Sequence, residues 1–112
     1  MFGHFMTFEE ATLASHNSSA KKTYEKPFVF CTLNDNKVII EADSSSFYRI
    51  ALFSKSNYSS SFELLSHNFK SPYVDDRPKT HPDKKERRKY KLIFFNSSLI
   101  PIFEVVKKVT IY

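Results

Sequence analysis

Phe28-Val29-Phe30-Cys31-Thr32-Leu33, Asn34-Asp35-Asn36, Lys37-Val38-Ile39-Ile40-Glu41-Ala42 is the stretch whose reading decides the fold. The first run is aromatic and β-branched and the second is Val/Ile-rich, the composition that fits a pleated, half-buried surface. Asn and Asp tolerate the left-handed backbone conformation, so the triplet between the runs turns the chain. The three pieces predict a hairpin with a three- to four-residue loop. Asp43-Ser44-Ser45-Ser46 turns the chain again into Phe47-Tyr48-Arg49-Ile50-Ala51-Leu52-Phe53, a short apolar run that suits either a third strand or a helix. As a strand, the reading favoured here, it extends the pair into a small antiparallel meander over about 28–53.

Upstream, Thr7-Phe8-Glu9-Glu10 fits a capping box, in which the hydroxyl and the carboxylate satisfy each other's backbone donors. A short N-terminal helix is expected over residues 8–16, followed by a polar connector over 21–27. Downstream, residues 54–61 form a serine-rich loop, and Phe62-Glu63-Leu64-Leu65-Ser66 suits either a strand or one helical turn. Residues 71–91 hold Pro72, Pro78 and Pro82 among dense charge and offer little to bury, so a flexible basic segment is expected there. Lys91-Leu92-Ile93-Phe94-Phe95 and residues 103–112 return to strand-like composition. The expectation is therefore an α+β, β-rich chain, one small domain at most over 1–112.

The composition is skewed. The chain carries 12 Phe and 6 Tyr against a single Gly and no Trp, where a domain of this size would have roughly eight glycines at about 7% usage. Glycine is the ordinary supplier of positive φ, so the turns beyond Gly3 must be made from Asn, Asp, Ser or Pro. Phe, Ile, Lys, Asn and Tyr share A/T-rich codons, so the skew also fits the base composition of a gene. The formal net charge of +5 permits weak attraction to nucleic acid or anionic lipid.

Cys31 is the only cysteine, which excludes an internal disulfide and a cysteine zinc cluster. It lies in an apolar run and is expected to act as a small buried hydrophobe. The N-terminus lacks the basic end and continuous apolar core of a secretory signal. The longest apolar stretch, residues 92–106, is interrupted by Asn96, Ser97, Ser98, Pro101 and Glu104, and falls short of the roughly 20 residues a membrane-spanning helix needs. An intracellular, cytoplasmic or nuclear, protein is the expectation.

The sharpest local signal is Asp83-Lys84-Lys85-Glu86-Arg87-Arg88-Lys89-Tyr90-Lys91. A short Lys/Arg run on a flexible segment is the pattern of a nuclear-import or nucleic-acid patch. Its candidate residues are Lys84, Lys85, Arg87, Arg88, Lys89 and Lys91, which would neutralise phosphates and release counterions without reading sequence. His81-Pro82-Asp83 resembles the His-Pro-Asp loop of J-domain co-chaperones, and Phe62-Glu63-Leu64-Leu65 loosely resembles that family's first-helix signature; the likeness implies a heat-shock chaperone partner. Pro72 and Pro78 interrupt the place of that family's long basic helix and the interval is several residues short, so no family assignment rests on it.

His67, Asp75, Asp76 and His81 could hold a divalent cation only if folding gathered them, and surface positions are the simpler expectation. A lone glycine makes no phosphate loop, and neither a nucleophile elbow nor a carboxylate pair is visible. Neither catalysis nor a cofactor is expected. Three functional readings follow from the residues. The first is a weakly selected product of an A/T-rich reading frame with no evolved activity. The second is a small basic accessory protein touching nucleic acid weakly through 84–91. The third is an interaction module whose exposed apolar strands pair with a protein partner.

Overall fold

The structure, a computed structural model, describes residues 24–43 and 45–112. Among them every regular element is a β-strand: β1 Val29–Asn34, β2 Lys37–Ala42, β3 Arg49–Ser56, β4 Glu63–Ser66, β5 Tyr73–Asp75, β6 Glu86–Phe95 and β7 Pro101–Ile111. The strands form two antiparallel sheets, one in the order β1-β2-β5 and one in the order β4-β3-β6-β7. The α+β expectation is therefore replaced by all-β for the described residues. The helix expected over 8–16, with its Thr7/Glu10 capping box, lies outside them.

Three further expectations are corrected. The meander over 28–53 does not form, because β3 leaves its sequence neighbour β2 and pairs with β4 and β6 in the second sheet. Adjacency in sequence favours pairing, but burial of both sheets' apolar faces against each other decides it. The hairpin itself exists, with a tighter loop than expected. Asn34 pairs with Lys37, leaving only Asp35 and Asn36 in the turn, both at positive φ (55° and 66°). That is the geometry of a two-residue primed turn, whose twist matches the strands. Finally, the segment expected to be flexible, 71–91, contributes β5 and the first half of β6, the longest-paired interior strand of the four-stranded sheet.

β6 explains why. From Glu86 to Phe95 its residues alternate strictly between buried and more accessible positions. Tyr90, Leu92 and Phe94 point inward with no exposure, and the same parity carries Arg88 and Glu86 inward too. Ile50 and Leu52 of β3, Phe103, Val105 and Ile111 of β7, and Val29, Val38 and Ile40 of the other sheet complete the core. Phe69, from the β4–β5 connection, plugs it, its backbone N–H donating to Ile50 O at 2.9 Å. Burying one such side chain contributes about 1.5–3 kcal/mol relative to exposure. Phe47 packs on Phe94 (centroids 5.0 Å) and edge-on to Phe103 (6.0 Å), closing one end.

The scarcity of glycine leaves a mark at the β6–β7 turn. Asn96 organises it, its side-chain oxygen accepting from the N–H groups of Ser98 (2.9 Å) and Ile100 (3.0 Å). Leu99, however, sits at φ 60° and is 53% exposed. A residue with a Cβ is strained there by roughly 1–2 kcal/mol, and the exposed side chain returns little burial. Leu99→Gly is therefore expected to raise stability by about 1 kcal/mol in urea titration, against a loss of about 2–5 kcal/mol for Leu92→Ala in the core.

Candidate functional site

β6 presents two chemistries, one on each face. On the inner face, Asp75 of β5 meets Arg77, Glu86, Arg88 and Tyr90. The Tyr90 hydroxyl donates to Asp75 Oδ2 at 2.6 Å, and Arg88 Nη1 reaches the same oxygen at 3.3 Å. Arg77 grips Asp75 through Nε to Oδ1 and Nη2 to Oδ2, both at 2.8 Å, and its Nη2 also donates to Ser54 Oγ at 3.0 Å. Arg88 Nε donates to Glu86 Oε2 at 2.7 Å, while its Nη2 donates to the carbonyls of Arg77 and Pro78. Glu86 Oε1 accepts from the Thr80 N–H at 2.7 Å. Two carboxylates and two guanidiniums thus cancel in charge, with Asp75, Glu86 and Arg88 almost wholly buried.

Burial works to raise the Asp75 carboxyl, but the hydrogen bonds from Arg77 and Tyr90 outweigh it and hold the group below the usual carboxylate range. Glu86 is held low in the same way, by Arg88 and the Thr80 N–H against its own burial. Burial and the Asp75 acceptor push the Tyr90 phenol well above its ordinary value. With both carboxyls held low, the carboxylates are ionised at neutral pH and their oxygens are occupied by donors, so the network fixes the geometry of the residues around it. Beside it lies a cavity of about 170 Å³ lined by Ser54, Ser56, Tyr58, Thr80 and Glu63 among others.

The outer face of the same strands is cationic. Lys89 of β6 pairs directly with Lys55 of β3 on one side and Lys108 of β7 on the other. Adjacent strands lie about 4.8 Å apart, so the three ammonium stems form a row about 10 Å wide. Like charges directly opposite one another in a sheet destabilise it. Among the described residues the ion pairs join only Arg77 and Arg88 to Asp75, Glu63 and Glu86, so none relieves this row. Arg87 opposite Thr110 extends the basic band toward the start of β6.

Of the six sequence candidates, Arg87, Lys89 and Lys91 lie on this outer face, and Lys84 and Lys85 are exposed in the turn before β6. Arg88 does not belong with them, because the strand's period of two turns it into the core, where it is 3% exposed. Lys55 and Lys108 were missed. Only the pairing register brings them beside Lys89 across sequence distances of 34 and 19 residues, and no local signal in the sequence marks them.

No protein-family model, curated protein or solved structure matches this chain.

The remaining candidates are dispersed. His81 packs edge-on to Tyr58 (4.6 Å), Asp75 is consumed by the inner network, and among the described residues no three His, Cys, Asp or Glu side chains gather to hold a metal ion. Phe62-Glu63-Leu64-Leu65 leads into and forms part of strand β4, and His81-Pro82-Asp83 lies in the turn before β6. Cys31 is half-buried, and burial, opposed by Lys107, pushes its thiol up to about 11. Among the described residues no helix is long and apolar enough to cross a membrane.

Removing one charge of a buried pair costs about 3–5 kcal/mol, because the partner is left uncompensated. Asp75→Asn is expected to destabilise the chain by that much in urea titration, since both guanidiniums lose a counter-ion. The Asp75 and Glu86 carboxyls have folded values below their unfolded ones, so their contribution is complete above the unfolded values near pH 4 and is lost as pH falls through the folded values. Stability measured between pH 7 and pH 2 should fall across that acid window in the natural chain. The fall should be shallower in Asp75→Asn.

Proposed function

We propose that this protein binds nucleic acid through its phosphates, on the outer face of the four-stranded sheet. The observation that carries the reading is the Lys55–Lys89–Lys108 row. Lysines on a sheet are commonly explained as protection of an exposed edge. Lys89 stands on an interior strand, between β3 and β7, where no edge needs protecting. A like-charge row that costs folding free energy, and has no carboxylate partner among the described residues, is accounted for by a polyanion that neutralises it.

On β6, Arg87 and Lys91 flank the row two residues to either side, so positive charge continues beyond the row in both directions on the same face. Binding of this kind gives affinity and salt dependence but no sequence choice. The reading is preferred to a weakly selected product because the inner network requires agreement between side chains of β3, β5, β6 and the loop carrying Arg77. A chain drifting without selection has no reason to keep five such partners mutually satisfied.

The test is a triple replacement, Lys55→Gln, Lys89→Gln and Lys108→Gln, with Arg88 left in place because its loss would report on folding. Every phosphate that the protein no longer neutralises lowers the slope of log affinity against log salt by about 0.7 on a single strand, so the slope should fall by about 2. Thermal melting should show the variant no less stable than the natural chain, since like-charge repulsion has been removed. An unchanged slope would refute the assignment. Tighter binding to phosphatidylserine vesicles than to an oligonucleotide, at equal salt, would move the site to a membrane surface and overturn it too.

A further inference from the structure

One pleat further along the strands, about 6.8 Å from the lysine row, the outer face changes character. Leu64 of β4, Phe53 of β3, Lys91 of β6 and Val106 of β7 stand side by side there. Leu64 is 52% and Val106 42% exposed. Phe62, just before β4, joins the same surface. The Lys91 ammonium rides over both rings, with Nζ 4.3 Å from the Phe62 centroid and 5.3 Å from that of Phe53. The face is thus divided into a cationic row and, beside it, an apolar and aromatic row whose two rings lie under the Lys91 ammonium.

We infer that the ligand of this face is a single-stranded nucleic acid, its phosphates on Lys55, Lys89 and Lys108 and a base stacked on Phe53 and Phe62. The inference rests on the phosphate reading above and adds the substrate class to it. A duplex keeps its base faces stacked inside and offers this surface only phosphate and sugar. A single strand offers phosphate and an open base face within one nucleotide of each other. Any base has a π-face, so the stacking is indifferent to sequence. When a base enters, it takes the place of the Lys91 ammonium, whose flexible stem lets it swing to an adjacent phosphate. The cation now held by the rings becomes a further phosphate ligand in the complex.

The experiment uses the full chain and three fluorescent probes of equal length: oligothymidylate, a fully abasic single strand with the same phosphates, and a duplex. Anisotropy titrations at low salt should show oligothymidylate bound tighter than the abasic strand by about 10-fold, within the range a stacked base contributes. The double variant Phe53→Leu and Phe62→Leu keeps apolar volume and removes the rings. It should bring oligothymidylate down to the abasic level while binding of the abasic strand and the duplex stays unchanged. Equal affinity of the natural chain for oligothymidylate and the abasic strand would overturn the stacking inference and leave the phosphate reading intact. So would a double variant that keeps the difference. Failure of all three probes to bind would overturn both. Should the double variant fail to fold by thermal melting, the comparison of oligothymidylate with the abasic strand on the natural chain decides.

Discussion

The Asp75 carboxylate is the joint on which the two sheets meet. It belongs to β5, on the edge of the three-stranded sheet, yet its oxygens accept from Tyr90 and Arg88 on β6, in the four-stranded sheet. Arg77, two residues beyond it, ties the same carboxylate to Ser54 on β3. An apolar core of this size is non-directional and would tolerate sliding of one sheet over the other. Charge-assisted hydrogen bonds are directional, and a half-satisfied buried network is worse than none. The ion network therefore selects one packing of the sheets. Its net contribution against an apolar replacement need not be large for that purpose.

The same strand that closes the network displays the basic row. Because successive residues of a strand point to opposite faces, Arg88 and Tyr90 can be fixed in the interior while Arg87, Lys89 and Lys91 face water. Anchoring the inner set immobilises the backbone that carries the outer set. A cationic surface mounted on an interior strand is preorganised, so the polyanion proposed for it would not have to order it. Repulsion within the row is carried by a strand bonded along its length on both sides. On a flexible segment the same charges would separate and the row would not exist.

The turns show a second constraint. With one glycine in the chain, positive φ falls, among the described residues, to Asp35, Asn36 and Leu99. Asp and Asn bear it at little cost, and the β1–β2 turn is legible for that reason. At the β6–β7 turn the bonds made by Asn96 fix the backbone, and Leu99 accepts the strained position they impose. Composition correctly signals that turns are made without glycine, though a bulky aliphatic residue is not among those expected to serve.

By itself the sequence determined the β1–β2 hairpin, the strand character of residues 91–95 and of the C-terminal segment, and the positive charge available around 84–91. These are local properties, written in β-branched runs, turn residues and composition. Residues 71–91 mislead because their period has to be carried backward from the apolar half of β6. Tyr90, Leu92 and Phe94 set a parity that leads directly to Arg88 and Glu86, but charged residues hide an inward position because their burial is tolerated only with partners. Those partners, Asp75, Arg77 and the Thr80 N–H, come from a different strand and its following loop. The union of Lys55, Lys89 and Lys108, and the transfer of β3 to the second sheet, were likewise decided by the tertiary structure. Pairing register and sheet packing join residues that no local pattern connects.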